Sequence, residues 1–323
     1  MSTQTMRVIQ VHTYGGSEVL KLEEKPRPAP QAGEVLLRVY AAGVNPIDWK
    51  IRQGLMKAFQ PVTFPYIPGI EVAGVVEEIG PGVTAFEIGQ AVMGSTTSGA
   101  YAEYLTVSAV DLARKPEGLS FVEAAAVPVG ATTAWRALFD HGGLTSGQRV
   151  LIQGAAGGVG VFAIQLAKWK GAQVIATAST ANLDVVRSLG ADIVVDYTTT
   201  PIERVIQDVD LVLDGVGGET LLSSLATIRR GGTLISIAGP PPQEEAQARG
   251  VRALMSRGAA SVPLQTLSQL IDEGHLTVPA GKTFPFSEVR QAHEDSQSGH
   301  GRGRIVLRVV EEGRDAKRSS QPR

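Results

Sequence analysis

A glycine-rich turn near the middle of the chain carries the strongest chemical signal in the sequence. The turn, Gly154-Ala155-Ala156-Gly157-Gly158-Val159-Gly160, follows the apolar run Val150-Leu151-Ile152 and opens a segment with helical spacing. Glycine lets the backbone turn tightly and approach a pyrophosphate, and the N-terminus of the following helix offers N–H groups with a partial positive charge. Three further strand–helix units surround the turn. The pattern predicts a dinucleotide site; the alternative is a tight turn that binds nothing.

The end of the next strand bears on which nicotinamide cofactor would bind. NAD sites commonly place an acid there, about 20 residues after the turn, where it bonds the ribose 2′-hydroxyl. Here the residues are Thr177-Ala178-Ser179-Thr180, and the first acid, Asp184, lies within the following helix. A carboxylate would repel a 2′-phosphate and hydroxyls would not, so the sequence favours NADP(H), although no basic residue stands at this point. The candidate phosphate ligands are Ser179, Thr180, Arg187 and Tyr197, although an exposed helix charge explains Arg187 more simply.

A second polar cluster ends an apolar strand nearer the N-terminus. It consists of Gly43-Val44-Asn45-Pro46-Ile47-Asp48-Trp49-Lys50-Ile51-Arg52. Asn-Pro followed by an acid, a lysine and an arginine indicates either a site or a capped helix start, and spacing alone does not choose between them.

Metal chemistry finds little support in the sequence. Cysteine is absent, which excludes disulfides, thiolate zinc sites, iron–sulfur clusters and a cysteine nucleophile. A catalytic zinc ion needs about three protein ligands, and the five histidines show no metal-ligand spacing. They are His12, His141, His275, His293 and His300. We therefore predict no metal site.

Two kinds of secondary-structure pattern divide the chain. Through its first 125 residues, short alternating runs such as 35–41 are separated by Gly/Pro turns, which is typical of a β-barrel or sandwich. From Arg149, strands and helices alternate, which predicts a parallel, doubly wound sheet. Leu221 to Ile228 is one of its predicted helices, and the segment after Gly239-Pro240-Pro241-Pro242 is predicted to be an irregular connection.

Composition and charge exclude several classes of partner. Lys+Arg number 30 and Asp+Glu 32, giving a net charge of −2, so neither nucleic acid nor an anionic membrane is expected as the main partner. Hydrophobic residues make up 43% and charged residues 19%, as in soluble globular proteins, and 323 residues suggest two domains. No secretory signal and no apolar run of about 18 residues is visible, so we expect a cytoplasmic location.

Four motifs, taken in order, resemble those of the medium-chain dehydrogenase/reductase superfamily, in its zinc-free quinone oxidoreductase and alkenal/enone reductase branch. They are Gly-Val-Asn-Pro-x-Asp at 43–48, Gly-Ala-Thr-Thr-Ala-Trp at 130–135, the turn at 154–160 and Gly-His-x-x-Gly-Arg at 299–304. The resemblance implies an α/β fold: a GroES-like β-barrel catalytic domain at 1–125, completed by 266–310, and a Rossmann NADP-binding domain at 126–265. It also implies an active site in the cleft and a homodimer. The polar tail at 311–323 falls outside it and is predicted to be disordered.

The resemblance further implies positions along a bound dinucleotide. Ala155 to Gly160 would hold the pyrophosphate, with Ser179 and Tyr197 beside the adenosine 2′-phosphate. Thr132 would lie near the nicotinamide ribose or amide, and Ala238-Gly239 would pass the nicotinamide with backbone groups.

Departures from zinc-dependent relatives bear on the reaction that the resemblance implies. Such relatives carry cysteine at about the position of Asn45, and Gly-His-Glu where this chain has Gly69-Ile70-Glu71, so both ligands are replaced. This argues against alcohol dehydrogenation, which in the family relies on zinc to stabilise an alkoxide. Asn45 would instead face the nicotinamide region, and Arg304 fills a position near the cofactor that is usually lysine. Lys50 stands where quinone oxidoreductases often carry tyrosine and enone reductases more often lysine, which favours C=C reduction.

These features together predict an NADPH-dependent reductase of a small hydrophobic electrophile, namely an enone, an enal or a quinone. Hydride would pass to the β-carbon, donors would stabilise the charge that develops on oxygen, and a proton would reach the α-carbon. Lys50, oriented by Asp48, is the candidate proton donor, with solvent as the alternative. Two other functions stay open: a quinone reductase working by one-electron steps, and a non-catalytic NADPH-binding sensor or structural protein.

Overall fold

The computed structural model describes residues 4–279, 281–299 and 301–310, and the tail predicted to be disordered, 311–323, lies outside them. The chain divides into two compact units. Unit 1 combines Met1–Val129 with Ala280–Arg323, and unit 2 is Gly130–Pro279. The domain boundaries predicted from the sequence, after 125 and after 265, compare with 129 and 279 here.

Short strands dominate unit 1, and strands alternate with helices in unit 2. The strands are β1 (Thr5–Gln10), β2 (Lys21–Pro26), β3 (Glu34–Val44), β4 (Glu71–Ile79), β5 (Ala91–Ser95), β6 (Tyr104–Ser108), β7 (Leu112–Arg114), β8 (Arg149–Gln153), β9 (Gln173–Ala178), β10 (Ile193–Asp196), β11 (Val209–Asp214), β12 (Ile228–Ser236), β13 (Arg252–Met255), β14 (Lys282–Pro285) and β15 (Ile305–Arg308). The α-helices are α1 (Pro46–Arg52), α2 (Phe121–Ala124), α3 (Pro128–Trp135), α4 (Gly160–Trp169), α5 (Leu183–Ser188), α6 (Ile202–Val205), α7 (Glu219–Leu225), α8 (Gln243–Ala248), α9 (Leu264–Asp272) and α10 (Val289–Ser298). Within the described residues, none of these helices has the length and apolar character needed to cross a bilayer.

Unit 1 is built around the long strand β3. In a seven-stranded sheet of order β14-β15-β3-β4-β5-β7, with β6 also on β3, the C-terminal strand β15 pairs antiparallel with the end of β3. Val35, Leu37 and Val39 of β3 alternate into a core shared with Phe286 and Leu307 from the C-terminal segment. The alternation predicted for β3 therefore reflects one buried face, and two distant segments complete one core.

Unit 2 contains a six-stranded sheet in which every neighbouring pair is parallel. The strand order is β10-β9-β8-β11-β12-β13, so the order reverses between β8 and β11. Leu151, Ile175, Val212 and Leu234 from four of these strands lie in one buried cluster. This order is that of the dinucleotide-binding Rossmann fold, which places ligands at the carboxyl ends of the strands at the reversal point. The predicted fold class is confirmed.

Two segments of unit 2 differ from their predicted secondary structure. The predicted helix from Leu221 to Ile228 ends at Leu225, because Thr227 turns the chain onto the carbonyl of Ser224 and Ile228 already pairs with β11. The connection predicted after residue 242 instead contains α8 and β13. Arg-Ala-Leu-Met of β13 lacks the β-branched residues that mark strands in a sequence, so only its pairing with β12 reveals it.

Candidate active site and cofactor site

The glycine turn joins the carboxyl end of β8 to the first residue of α4. Gly154 adopts φ +70°, a left-handed conformation that favours glycine. A Cβ on Gly160 would lie 2.5 Å from the carbonyl oxygens of both Gly154 and Ala155, so a side chain has no space there. The Gly157 N–H donates to the Gly154 carbonyl oxygen at 3.0 Å and closes the turn. The turn therefore lies at the reversal point of the sheet, with the helix N-terminus beside it, as a pyrophosphate site requires.

Buried polar side chains beneath the turn fix the strand ends, and sequence reasoning missed them. Thr177 Oγ1 donates to Gln153 Oε1 at 2.6 Å, and Gln153 Nε2 donates to Ser224 Oγ at 3.1 Å. Asp214, at the end of β11, accepts the Gly217 N–H at 2.7 Å and the Thr220 hydroxyl at 2.8 Å. An acid that ends an apolar strand just before Gly-Val-Gly-Gly is the sequence signal that could have identified this loop.

Predicted contacts for the adenosine end meet at the carboxyl ends of β9 and β10, together with an acid that was not predicted. Thr180 Oγ1 donates to Asp196 Oδ2 at 2.6 Å, while Ser179 Oγ accepts from Asn182 Nδ2 at 3.0 Å. The Tyr197 side chain is 58% exposed beside them. Hydrogen bonds from Thr180 and Thr198 lower the pKa of Asp196, which is therefore ionised at neutral pH. Asp196 was missed because it ends β10, one strand beyond the place where such an acid is usually sought.

Arg187, the one basic candidate for a 2′-phosphate, is already paired. Its Nη1 lies 2.9 Å from Asp184 Oδ1 on the exposed face of α5. This arrangement matches the simpler explanation given for Arg187 in the sequence analysis, namely an exposed charge on a helix surface.

The three predicted nicotinamide contacts of unit 2 lie on different elements. Thr132 is in the middle of α3, and Ala238-Gly239 follows β12. The N–H groups of Ala238 and Gly239 both point to Ser236 Oγ, at 3.3 and 3.2 Å. A Cβ on Gly130 would lie 2.6 Å from the carbonyl oxygen of Gly158, so α3 packs directly on the glycine turn. Their contact with a nicotinamide stays a prediction.

In unit 1, the polar segment after β3 does form a capped helix start. The Asn45 N–H donates to Asp48 Oδ2 at 2.7 Å, and the Asp48 N–H donates back to the Asn45 carbonyl at 3.0 Å, with Pro46 as the first helical residue. The side-chain amide of Asn45 also belongs to a second group of residues.

That second group is a buried triangle of Asn45, Glu71 and Arg304. Asn45 Nδ2 donates to Glu71 Oε1 at 2.9 Å, Arg304 Nη2 donates to Asn45 Oδ1 at 2.9 Å, and Arg304 also forms an ion pair with Glu71. The three residues are 2%, 0% and 5% exposed. Glu71 Oε2 accepts the N–H of Val129 at 2.9 Å. Burial lowers the pKa of Arg304 to about 10, which still leaves it charged at neutral pH.

The triangle occupies the position at which the resemblance would place a zinc ion. Asn45 and Ile70 stand in place of the two ligands, and the guanidinium of Arg304 brings a positive charge beside them. In the described part of the chain, no group of three or more His, Cys, Asp or Glu side chains is placed to hold a metal ion. The donor set does not fit zinc, which takes Cys, His and carboxylate ligands.

Lys50 and Asp48, two neighbours in the predicted catalytic segment, lie in different surroundings. Lys50 is half-buried, with Nζ 5.5 Å from the centroid of the Trp49 ring. Asp48 is buried and accepts a hydrogen bond from the Tyr101 hydroxyl at 3.1 Å. Residues two apart on a helix point in different directions, and among the described residues the side-chain partner of Asp48 is Tyr101. Among the described contacts, none joins Asp48 to Lys50, so the structure gives no support to the prediction that Asp48 orients Lys50.

A cavity of about 370 Å³ in unit 1 is lined by Asp48 and by mostly apolar or hydroxyl-bearing residues. Ile51, Tyr66, Ile67 and Thr96 contribute to its wall, and Lys50 is not among the described residues that line it. The wall also carries the ammonium group of Lys25 and the amide of Gln60, so the cavity suits a small ligand with both an apolar and a polar part.

Asp48 and His293, the latter buried on α10, respond to burial in opposite directions. Desolvation raises the pKa of Asp48 from 3.8 to about 7, although hydrogen bonds from Asn45 and Tyr101 oppose the rise. Desolvation, with the charge of Arg52, lowers the pKa of His293 from 6.5 to about 3. Folding therefore makes Asp48 hold its proton more tightly and His293 less tightly.

Stability should depend on pH with opposite signs at these two residues. Between about pH 4 and 7 the folded state binds the Asp48 proton more tightly, so this contribution to the free energy of unfolding falls as pH rises. The His293 contribution rises from about pH 3 to 6.5. Denaturant titrations at several pH values would measure it: the stability of wild type relative to Asp48→Asn should fall with pH, and relative to His293→Gln should rise. Parallel differences for both variants would contradict the assignment.

Comparisons with known proteins give matches in both units. A family model described as an alcohol dehydrogenase GroES-like domain matches residues 31–117, and one described as a zinc-binding dehydrogenase matches residues 189–307. The chloroplast envelope quinone oxidoreductase homolog of Arabidopsis thaliana is 32% identical, over 95% of this chain and 99% of its own length. The chloroplastic NADPH-dependent alkenal/one oxidoreductase of Arabidopsis thaliana is 35% identical, over 91% of this chain and 77% of its own length.

A solved structure extends the likeness to three dimensions. The quinone oxidoreductase from Coxiella burnetii superimposes with a TM-score of 0.86 at 34% identity, covering 95% of this chain and 100% of that chain. Similarity at this level over nearly the whole length confirms the resemblance that the four motifs indicated. The chain belongs to the quinone oxidoreductase branch of the medium-chain dehydrogenase/reductase superfamily, and it is an oxidoreductase of that NAD(P)-dependent family.

Proposed function

We propose that the protein is an NADPH-dependent, zinc-independent reductase of activated C=C bonds in enones or enals, or of quinones. The observation that carries this proposal is the Asn45–Glu71–Arg304 triangle, which replaces a zinc-type donor set with an internally neutralised cluster. Without a Lewis acid to stabilise an alkoxide, alcohols are poor substrates, whereas a conjugated carbonyl spreads the charge that hydride addition creates. The relatives named for quinones and for alkenals/ones support the same substrate class.

Each unit has its own part in this function. The backbone of the turn at 154–160 would hold the pyrophosphate, and bound NADPH would supply a hydride to the electron-poor carbon. Side chains of unit 1 would bind the substrate in the 370 Å³ cavity, exclude water from it and provide the proton that completes reduction. Lys50 and solvent were the two proton donors predicted from the sequence, and neither prediction accounts for the buried carboxyl group of Asp48 in the cavity wall.

The function is tested by mixing the purified protein with NADPH and a panel of enones, enals, quinones and primary alcohols (the last with NADP⁺), and following absorbance of the reduced cofactor. We expect the protein to oxidise NADPH with at least one conjugated carbonyl and not to reduce NADP⁺ with any of the alcohols. A metal chelator should leave the rate of NADPH oxidation unchanged. Semiquinone detected by electron spin resonance would favour the one-electron alternative. NADPH binding without turnover on any substrate would favour a sensor or structural role.

NADP(H) rather than NAD(H) is the proposed cofactor, on the strength of the Ser179 hydroxyl that follows β9. The Thr180 hydroxyl already donates its proton to the ionised Asp196, whereas Ser179 Oγ accepts from Asn182 and keeps its own proton to donate to a 2′-phosphate. We expect Ser179→Asp to raise the Kd for NADPH about tenfold, because the new charge repels the 2′-phosphate, and to change the Kd for NADH much less. Ser188→Asp, at the far end of α5, is the matched control. Fluorescence titration measures both constants; tighter binding of NADH than NADPH by wild type would contradict the assignment.

A homodimer is also proposed, as the resemblance implies. β13 forms one edge of the described six-stranded sheet, so its outer side has no neighbouring strand within the described residues. Light scattering should give twice the 34.0 kDa of one chain. A concentration-independent mass of one chain would exclude the dimer.

A further inference from the structure

Three buried side chains of unit 1 form a continuous chain of hydrogen bonds that leads away from the cavity. The Tyr101 hydroxyl donates to Asp48 Oδ2 at 3.1 Å, and its oxygen lies 3.2 Å from Nε2 of His293. Asp48, Tyr101 and His293 are all at most 2% exposed. Among the described residues, Nδ1 of His293 is buried with no hydrogen-bond partner.

The direction of each hydrogen bond follows from the neighbour. Because the Tyr101 proton is donated to Asp48, the Tyr101 oxygen must accept from His293, so the His293 proton sits on Nε2. His293 is neutral at ordinary pH, and Nδ1 is then a buried acceptor. An unpartnered acceptor of this kind requires an explanation, and a place in a proton path provides one.

At the other end of this chain of hydrogen bonds, Asp48 lines the cavity. Both hydrogen bonds that the Asp48 side chain accepts, from Asn45 and Tyr101, fall on Oδ2. Oδ1 is therefore the oxygen that carries the proton of the neutral acid. Asp48 lines the cavity, and Lys50 is not among its described lining residues.

We propose that Asp48, as a neutral carboxylic acid, is the group that protonates the substrate, and that Tyr101 and His293 are positioning residues that return a proton to it. This rests on the reductase function proposed above. Hydride arriving on the β-carbon brings the electron pair that breaks the C=C π bond. The Oδ1–H bond then breaks as a C–H bond forms at the α-carbon. Asp48 regains a proton at Oδ2 from Tyr101, Tyr101 takes the Nε2 proton of His293, and the imidazole is reprotonated by one H⁺ from solvent, so each turnover consumes one hydride and one solvent proton.

Two guanidinium groups favour ionised Asp48 and Tyr101 and disfavour protonated His293, whereas burial, the largest effect on each, favours the neutral form of all three. Arg304 is the cation that acts on Asp48, while Arg52 acts on Tyr101 and His293. α10, which packs on α1, brings Glu294 toward Arg52. The remaining groups that act on the chain or on Arg52 are Tyr66 and Glu18. Among the described residues, the titratable side chains that line the cavity are Asp48, Lys25 and Tyr66, and Asp48 is the carboxyl group, whose acidity burial suppresses.

Asp48→Asn keeps the side-chain shape and removes the acid. With an enone that wild type reduces, we expect kcat to fall about 100-fold or more, whereas the exposed Asp111→Asn changes kcat little. The basic limb of the wild-type kcat profile, near pH 7, should disappear in Asp48→Asn. Infrared spectra of the protein without substrate supply a readout independent of turnover: the C=O band of a protonated carboxyl group, present below pH 7, should be missing in Asp48→Asn.

Tyr101→Phe tests the relay, with Tyr104→Phe as the matched control three residues away. Tyr101→Phe should lower kcat about tenfold and enlarge the solvent deuterium isotope effect, because the proton must then return to Asp48 from water. This variant also serves if Asp48→Asn does not fold.

Two outcomes separate this proposal from the proposed function. If wild type reduces no conjugated carbonyl, the reductase function fails, and the infrared band alone still decides whether Asp48 is protonated. If wild type is active and Asp48→Asn matches it in kcat and pH profile, or if Lys50→Ala alone abolishes the basic limb, Asp48 is not the acid and the reductase function stands. An isotope effect unchanged by Tyr101→Phe would overturn the relay.

Discussion

Gly160→Ala is expected to weaken binding of the nicotinamide dinucleotide by about 10- to 100-fold. The added Cβ would lie 2.5 Å from the carbonyl oxygens of Gly154 and Ala155, both of them backbone atoms. The backbone of the turn must shift to make room for the Cβ, and such overpacking typically costs about 1–3 kcal/mol of free energy. Opening the turn moves the N–H groups that would hold the pyrophosphate. Fluorescence titration with NADPH measures the loss.

Two further glycine-to-alanine variants test whether the loss of binding follows the space available for the added Cβ. A Cβ on Gly157 would have one close neighbour, the Gly154 oxygen at 3.2 Å, so Gly157→Ala should weaken binding less. Gly118 has nothing within 4 Å of its Cβ position, so Gly118→Ala should bind as wild type does. Equal Kd values for the Gly160 and Gly118 variants would show that the turn at 154–160 does not hold the cofactor.

Arg304→Met should cost the protein about 3–5 kcal/mol of its free energy of unfolding. Arg304 is the counter-charge of Glu71, which is fully buried, and methionine would leave that carboxylate without a compensating positive charge. Urea unfolding followed by circular dichroism measures the difference. Glu71→Gln combined with Arg304→Met should recover part of the loss, since no buried charge then remains.

An exposed ion pair provides the comparison. Arg187 pairs with Asp184 at 2.9 Å, but the two side chains are 55% and 99% exposed, so Arg187→Met should change stability little. If the two methionine variants lost similar amounts, burial of the Glu71–Arg304 pair would not be the source of its effect.

Local sequence patterns were sufficient to predict the elements of unit 2 that form the proposed cofactor site. β8, the turn and α4 follow each other directly, so the apolar run, the glycines and the helical spacing fall in one window of about 20 residues. Their order in the sheet then follows from the handedness of β-α-β crossovers. β13 escaped prediction because its identity depends on pairing with β12 rather than on its own residues.

The substrate side of the site lay beyond such local patterns. Tyr101 and His293 are 192 positions apart and meet Asp48 only in the folded unit, so no spacing rule could associate them. The same holds for Arg304, which lies 259 positions from Asn45. The resemblance identified Asn45, Asp48 and Arg304 as residues of interest, but their partners are set by packing. Asp196 was overlooked for a related reason, since an adjacent strand places it beside Thr180.

Unit 1 is assembled from two stretches of chain, so it cannot complete its fold until the second stretch has been synthesised. β15 and Arg304 belong to the second stretch, yet they cover the edge of β3 and neutralise Glu71 in the first. Between them the ribosome must make the whole of Gly130–Pro279, which takes roughly 8–30 s at ordinary elongation rates. For that interval the nascent N-terminal stretch presents an open strand edge and an uncompensated carboxylate. All residues of unit 2 are then available before the second stretch of unit 1 is made, so unit 2 can fold first and the N-terminal stretch is the part that a chaperone would have to protect meanwhile.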